Sequence, residues 1–267
     1  MKVIASIALL MLVSGSPVYA LCSKTLQAAF MVRSVARQQA DVRKEPDLDT
    51  LLMRRIISEA GCSLHFHNDI PPRRQVLYIE SGQLDIVPDA SETPERLRFA
   101  RFTKPYRRES IVLFARKGEP SIRRLKSISD LIDEKVTVIV PAHGWYGAEF
   151  DQIRPMLKQQ NRLTEYVNID QALAMLEQRR GDILLADTVL VREAARRESV
   201  PLPVELPVVV NEDQVRLMLS KQTTTQQDIE ILNQAIDRLD RRGELKRIFR
   251  DYFARPSQVP TLKSTTH

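Results

Sequence analysis

The segment Asp85–Lys117, DIVPDASETPERLRFARFTKPYRRESIVLFARK, decides how the rest of the chain is read. With Gly82 just ahead of it, it opens on a Gly-x-x-Asp step and passes a short loop bearing Ser91 and Thr93. It then reaches Arg96 and runs through Phe102-Thr103-Lys104-Pro105-Tyr106 into the apolar stretch Ile111 to Ala115. Hydroxyls followed by an arginine set donors and acceptors beside a planar guanidinium fork, whose parallel N–H groups match the two oxygens of a carboxylate. Such a group of residues suits a small acid or zwitterion. Pro105 fixes its own φ and biases Lys104 toward extended backbone, so Tyr106 enters the next strand at a set angle.

Before this segment, Thr25 to Ala36 mixes apolar and polar residues as a first strand would, and a polar loop runs from Arg37 to Pro46. Asp47 caps a helix with Leu48, Leu51, Leu52 and Ile56 on its apolar face and Gly61 as a left-handed stop. Ser63 to His67 alternates as a strand. Its two histidines, His65 and His67, share a face, but no third metal ligand accompanies them, so the face reads as solvated. Pro71-Pro72-Arg73-Arg74 opens a short helix with Val76, Leu77 and Ile79 inward.

After the segment, Arg116 to Pro120 reads as a linker, Ser129-Asp130 caps a short helix, and Lys135 to Val140 is a β-branched strand. Ala142-His143-Gly144-Trp145-Tyr146-Gly147 turns into a helix. Tyr166-Val167 is a short strand, and Asp170 caps a helix with Ala172, Leu173, Met175 and Leu176 inward and Gly181 as its stop. Asp182 to Asp187 is a buried strand ending in an acid. Pro201 to Pro207 is a return, Val208 to Leu219 gives one or two strands, and Thr225 starts a long amphipathic helix broken at Gly243 and resumed to Phe253. Beyond Arg255 the tail is polar and aperiodic, as a disordered segment is. Strands alternating with helices predict parallel sheets with covered faces.

The amino terminus pairs Lys2 with an apolar run from Val3 to Val13 and ends in Val18-Tyr19-Ala20, the pattern of a signal peptide cleaved after Ala20. Removing 20 of the 267 residues leaves 247, enough for one large domain or two ordinary ones. Tyr-Ala-Leu ahead of Cys22 lacks the small residue of a lipid-attachment site. The 40 Lys and Arg against 34 Asp and Glu give a net charge of +6, modest and scattered. No basic, aromatic-interleaved motif points to nucleic acid. In an oxidising compartment the pair Cys22 and Cys62 is most simply a disulfide, with two buried thiols as the alternative. No metal or cofactor constellation, nucleophile elbow or phosphate loop is present.

The central segment resembles the family 3 solute-binding proteins of bacterial ABC importers, known for polar amino acids. There the pattern runs G-x-x-D, hydroxyl residues, T-x-E-R, F-S-x-P-Y, then a strand leaving the first lobe. Gly82, Asp85, Thr93-Pro94-Glu95-Arg96 and Phe102 to Tyr106 follow it in order and spacing. The resemblance extends from Leu26 to Phe253 and implies an α/β type II periplasmic binding protein fold: two lobes joined by a two-crossing hinge. It implies lobe 1 at 21–112 and 209–255, lobe 2 at 113–208, and a disordered tail at 256–267. It also implies a monomer in the periplasm that captures an amino-acid-like or small carboxylate ligand, with no cofactor and no catalytic residues, for an inner-membrane ABC permease or a signalling receptor.

Carried over by position, Arg96 holds a ligand carboxylate and Asp187 an ammonium group. Ser91 and Thr93 lie in the hydroxyl loop, which is one residue shorter than in basic-amino-acid binders, with Asp89 where a serine often sits. Asp89 either pairs with an ammonium or caps a turn. Gly144 and Trp145 begin a helix whose N–H groups share the carboxylate, although the family's Ser or Thr after that glycine is missing. The stacking aromatic has no counterpart in Arg37 to Asp41, which leaves Trp145 or Tyr146 for the role. Arg98, Arg101, Arg107 and Arg108 permit a more acidic ligand, but read as a solvated face. Two alternatives stand beside the transporter reading: a prephenate- or arogenate-type dehydratase on the same scaffold, with Asp187 or Asp89 as proton donor, and a ligand sensor.

Overall fold

A computed structural model describes residues 22–29, 46–67, 70–119, 125–198 and 200–254. The leader at 1–20, the expected extension of the first strand to Ala36, the loop Arg37 to Asp41 and the tail at 256–267 lie outside the described residues.

The chain alternates strands and helices. Strand β1 (Leu26–Ala29) is followed by helix α1 (Leu48–Glu59), strand β2 (Leu64–His67), helix α2 (Pro72–Glu80) and strand β3 (Ile86–Ala90). Both β2 and β3 pair with β1 in parallel, as helix crossovers require. Asp47 does cap α1, its carboxylate accepting from the backbone N–H of Thr50. A 3-10 turn at Arg96–Arg98 leads into the short β4 (Ala100–Phe102) and then β5 (Arg107–Ala115).

A second alternating run follows: α3 (Asp130–Asp133), β6 (Val138–Pro141), α4 (Ala148–Gln159), β7 (Leu163–Tyr166), α5 (Ile169–Glu177), β8 (Ile183–Asp187) and α6 (Thr188–Glu198). The single 17-residue strand β9 (Val204–Ser220) returns, and α7 (Gln226–Arg241) and α8 (Glu244–Ala254) are the last described elements. Thr225 and Asp228 form a reciprocal capping box at the start of α7.

Strand order is β2-β1-β3-β9-β5-β8-β6-β7, with β4 also on β9. β9 divides its partners. Its residues Arg216 to Ser220 pair with β3 and β4, and Val204 to Val215 pair with β5. The chain therefore passes between the two halves of the strand order twice, once between β4 and β5 and once inside β9. One group of buried apolar residues surrounds β1, α1 and α7, and another pair of clusters covers the two faces of β5: Ile111, Leu113 and Ala115 on one, Val112 and Phe114 on the other. The Cys22 and Cys62 sulfurs are bonded, with Cα atoms 5.3 Å apart, tying the start of the described chain to the turn after α1.

Several local expectations are corrected. Leu77 is 54% exposed rather than inward, and buried Gln75 takes a place on the inner face of α2 by donating to the carbonyl of Ile70. Asn168, not Asp170, caps α5 by accepting from Gln171 N–H. Gly181 does not stop that helix. Arg179, two residues earlier, takes the left-handed conformation, and Gly181 is needed because a Cβ there would lie 2.4 Å from Ile139 Cγ1. The helix expected to begin at Gly144 begins at Ala148, so Gly144 and Trp145 belong to the turn before it. Arg116, read as linker, is buried and donates to the carbonyls of Leu176 and Gly181.

Candidate functional site

The carboxyl ends of β3, β6 and β8 point to one place, where the antiparallel β5 begins. Loops leaving such strand ends meet at a crevice in open α/β sheets. A cavity of about 110 Å³ lies there, lined by Asp89 in β3, Ser91 just after it, Arg96, Glu109 of β5 and the turn Gly144-Trp145-Tyr146 after β6, together with Asp187 and Leu190 at the β8–α6 junction and Tyr166 of β7.

Seven of the eight expected site residues therefore share one cleft. Thr93 does not line it. Its hydroxyl accepts from the backbone N–H of Arg96 and so sets the 3-10 turn that carries the arginine. The Arg96 guanidinium donates to the carbonyl of Ser91 at 2.9 Å, which folds the loop back and aims the side chain inward. Burial lowers the Arg96 pKa from its ordinary value, opposed by Tyr146 first and then by Asp89, Glu95 and Glu109.

Asp89 sits at φ 56°, a left-handed conformation that a short polar side chain tolerates. Its N–H donates to the Tyr106 hydroxyl, and its carboxylate accepts from Arg107 at 2.7 Å. This contact is neither of the two roles expected of Asp89, since its partner is the protein's own Arg107. Asp187 ends β8 with both oxygens engaged. One accepts the N–H groups of Val189 and Leu190 at the start of α6, and the other faces Arg107 at 3.5 Å. Trp145 is 38% exposed and lines the cleft beside Tyr146, whose hydroxyl donates to the carbonyl of His143. Gly144, at φ +119°, admits that ring, since a Cβ would lie 2.5 Å from the Tyr146 hydroxyl.

The main correction concerns Arg107. It is no part of a solvated face: 4% of its side chain is exposed, and it binds Asp49 through two nitrogens at 2.7 and 2.8 Å, then Asp89 and Asp187. Burial alone would lower its pKa, but Asp49 first and Asp89 next raise it well above the ordinary value. Asp49 comes from the first turn of α1, Asp89 from β3 and Asp187 from β8, so one guanidinium holds acids from both halves of the strand order. Tyr106 adds a hydrogen bond to Asp49, and burial followed by that carboxylate raises its pKa.

Glu109 was also missed. It is half-buried, lines the cleft and has no side-chain partner among the described residues. Burial first, then Asp89 and Asp187, push its pKa up to about 9 against the attraction of Arg107. The signal for both residues was alternation. Starting the strand at Arg107 instead of Ser110 puts Arg107 and Glu109 in phase with buried Ile111 and Leu113. The His65 and His67 rings meet edge to face at 5.0 Å, and His67 pairs with Gln27. No cluster of three or more potential metal ligands occurs among the described residues.

Chemically, the cleft sets one arginine with donors turned inward against a wall of acids. It can bind an anion at one end and a cation at the other.

Solved structures share this fold at low identity. A mutant of ArgBP from T. maritima is 18% identical with a TM-score of 0.68, over 87% of this chain and 96% of that one. A histidine kinase sensor domain with similarity to periplasmic binding proteins is 15% identical with a TM-score of 0.68, over 86% and 96%. The ancestral amino acid-binding protein AncCDT-1, a precursor of cyclohexadienyl dehydratase, is 17% identical with a TM-score of 0.67, over 86% and 95%. No curated protein matches the sequence. Residues 46–255 match the bacterial extracellular solute-binding proteins, family 3, and the chain belongs to that family.

Proposed function

We propose that this protein captures an amino-acid-class ligand in the periplasm and presents it to an inner-membrane ABC permease. Arg96 takes the ligand carboxylate by a bidentate pair, with Ser91 beside it, and the ammonium group faces Asp187 and Asp89. Trp145 and Tyr146 supply the aromatic wall. The two halves act as lobes that close over the ligand about the paired strands β5 and β9, with lobe 1 spanning 21–112 and 209–255 and lobe 2 spanning 113–208. The observation that carries this reading is that Arg96 and Asp187, 91 positions apart in the chain, line the same cleft.

The test is a thermal-shift screen of amino acids on the mature protein, repeated on Arg96→Ala. A ligand at 100 times its Kd stabilises by about 2.7 kcal/mol. Arg96→Ala removes that shift; unchanged affinity in the variant refutes the site.

A second reading is favoured by one observation. Glu109, with its pKa at about 9, carries a proton at neutral pH beside Arg96, as a general acid for a dehydratase would. Turnover of prephenate or arogenate by the purified protein would establish it, and no turnover leaves a binder.

A further inference from the structure

Among the described residues, three carboxyl groups line the cleft with Arg96, those of Asp89, Glu109 and Asp187, and Arg107 joins Asp89 and Asp187 to a fourth, buried Asp49. Arg107 is committed. Its Nε and two terminal nitrogens are engaged with Asp49, Asp89, Asp187 and the carbonyl of Arg108. It therefore compensates three of the acids and leaves Glu109 without a partner. A carboxyl group that lines a ligand cavity with no protein partner stays neutral while the site is empty and is open to a cationic group that the ligand brings.

We propose that Glu109 selects ligand charge: it receives a second cationic group, so that the ligand is an amino acid with a basic side chain rather than a neutral or acidic one. The inference rests on the reading of the cleft as a ligand site and adds to it the residue that discriminates within the class. The groups facing Glu109 come from every side. They are Asp89 on β3, Asp187 at the end of β8, Asp213 directly opposite on β9, Arg107 two residues back on its own strand, and Arg96 and Tyr146 across the cleft. Three of these six are acids, and a carboxylate at Glu109 would add a fourth. In the empty cleft Glu109 relieves that repulsion by holding its proton. An incoming ammonium or guanidinium relieves it differently: the O–H bond breaks, the proton leaves to solvent, and the carboxylate pairs with the ligand cation. Binding of a basic amino acid then releases about one proton at pH 7 and strengthens about tenfold per pH unit as pH rises toward 9. An uncharged side chain gives neither effect.

L-arginine and its uncharged analogue L-citrulline separate the two cases. Titration calorimetry at pH 7, in two buffers of different ionisation enthalpy, reads affinity and proton release together. It is run on the mature wild type, Glu109→Gln and Arg96→Ala. The wild type prefers arginine by about tenfold or more and releases a proton on binding it. Glu109→Gln, which keeps the shape of the protonated acid, loses that preference and the proton release. An arginine-to-citrulline ratio unaltered in Glu109→Gln, or a wild type that does not bind arginine, overturns the proposal. If Arg96→Ala abolishes binding of both probes while Glu109→Gln leaves the ratio alone, the cleft stands and the role of Glu109 falls. If Arg96→Ala has no effect, the cleft itself is misassigned.

Discussion

Replacing Arg107 by methionine removes one buried cation from among three acids, with an apolar stem of similar length left in its place. The guanidinium makes charge-assisted contacts of 2.7 to 2.8 Å with Asp49 and Asp89 and reaches Asp187 at 3.5 Å, with 4% of its side chain exposed. Removing one member of a buried ionic group costs about 3–5 kcal/mol, because the remaining charges lose their compensation. For a chain of this size that is a fall in Tm of about 10 °C. The pH dependence carries the sharper test. Without Arg107 the clustered acids repel one another, so their folded-state pKa values rise above the unfolded ones. The folded variant then binds more protons than the unfolded chain, and its stability declines as pH rises through the range where those acids ionise. Urea denaturation of wild type and variant between pH 4.5 and 8 therefore gives a deficit that is smallest in acid and grows toward neutrality. A deficit below about 1 kcal/mol, or one that does not vary with pH, would refute the assignment of Arg107 as the ion that holds these acids together.

Further outcomes are expected elsewhere in the molecule. The N–H of Leu48, one of the unpartnered donors at the start of α1, is held by the buried carboxylate of Glu193 on α6 at 2.8 Å, so Glu193→Ala loses about 1.5–3 kcal/mol in chemical denaturation. Gly181→Ala forces a methyl group to 2.4 Å from Ile139 Cγ1 and costs about 1–3 kcal/mol, read by the same method. Reducing the Cys22–Cys62 bond, or replacing both residues by serine, frees a 40-residue loop and lowers stability by about 4 kcal/mol. The hydrogen bonds of Arg242 hold Glu59 down at a pKa of about 2 despite its burial, with Arg238 and Arg55 adding to the effect. Its contribution is thus complete above about pH 4.5 and is lost as pH falls toward 2. Glu59→Gln flattens the acid limb of the stability profile by less than about 2 kcal/mol, since Arg242 is half exposed.

Local signals survived best. Asp47 before α1 and Thr225 before α7 are caps written within four residues of text, and each was found where the sequence placed it. The apolar stretch of β5 and the acid-ended β8 were legible because a strand buried on both faces needs an unbroken apolar run. Arg96 and Asp187 came from family position and share the cleft. What stayed hidden depends on partners far away. Arg107 reads like Arg108 until Asp49, 58 residues earlier, and Asp187, 80 residues later, are brought against it. The Gly144 turn was misplaced by four residues because a glycine suits both a helix start and an aromatic cradle, and only the position of the Tyr146 ring separates the two. Gly181 failed for a similar reason: a helix stop and a close approach ask for the same residue, and Ile139, the neighbour that decides, lies in another strand.

The contacts around Arg107 return to their starting point. From the guanidinium they pass to Asp49 at the head of α1, whose neighbour Leu48 is held by Glu193 of α6; the first turn of α6 hangs on Asp187, and Asp187 faces Arg107 again. A closed circuit of this kind resists sliding in any direction along its perimeter, since each step of slip would break a hydrogen bond to a carboxylate. The far end of α6 is tied to α8, where Arg196 lies 4.5 Å over the ring of Tyr252 and donates to its carbonyl. Through α6, Asp187 and the last described helix thereby belong to one connected set of contacts.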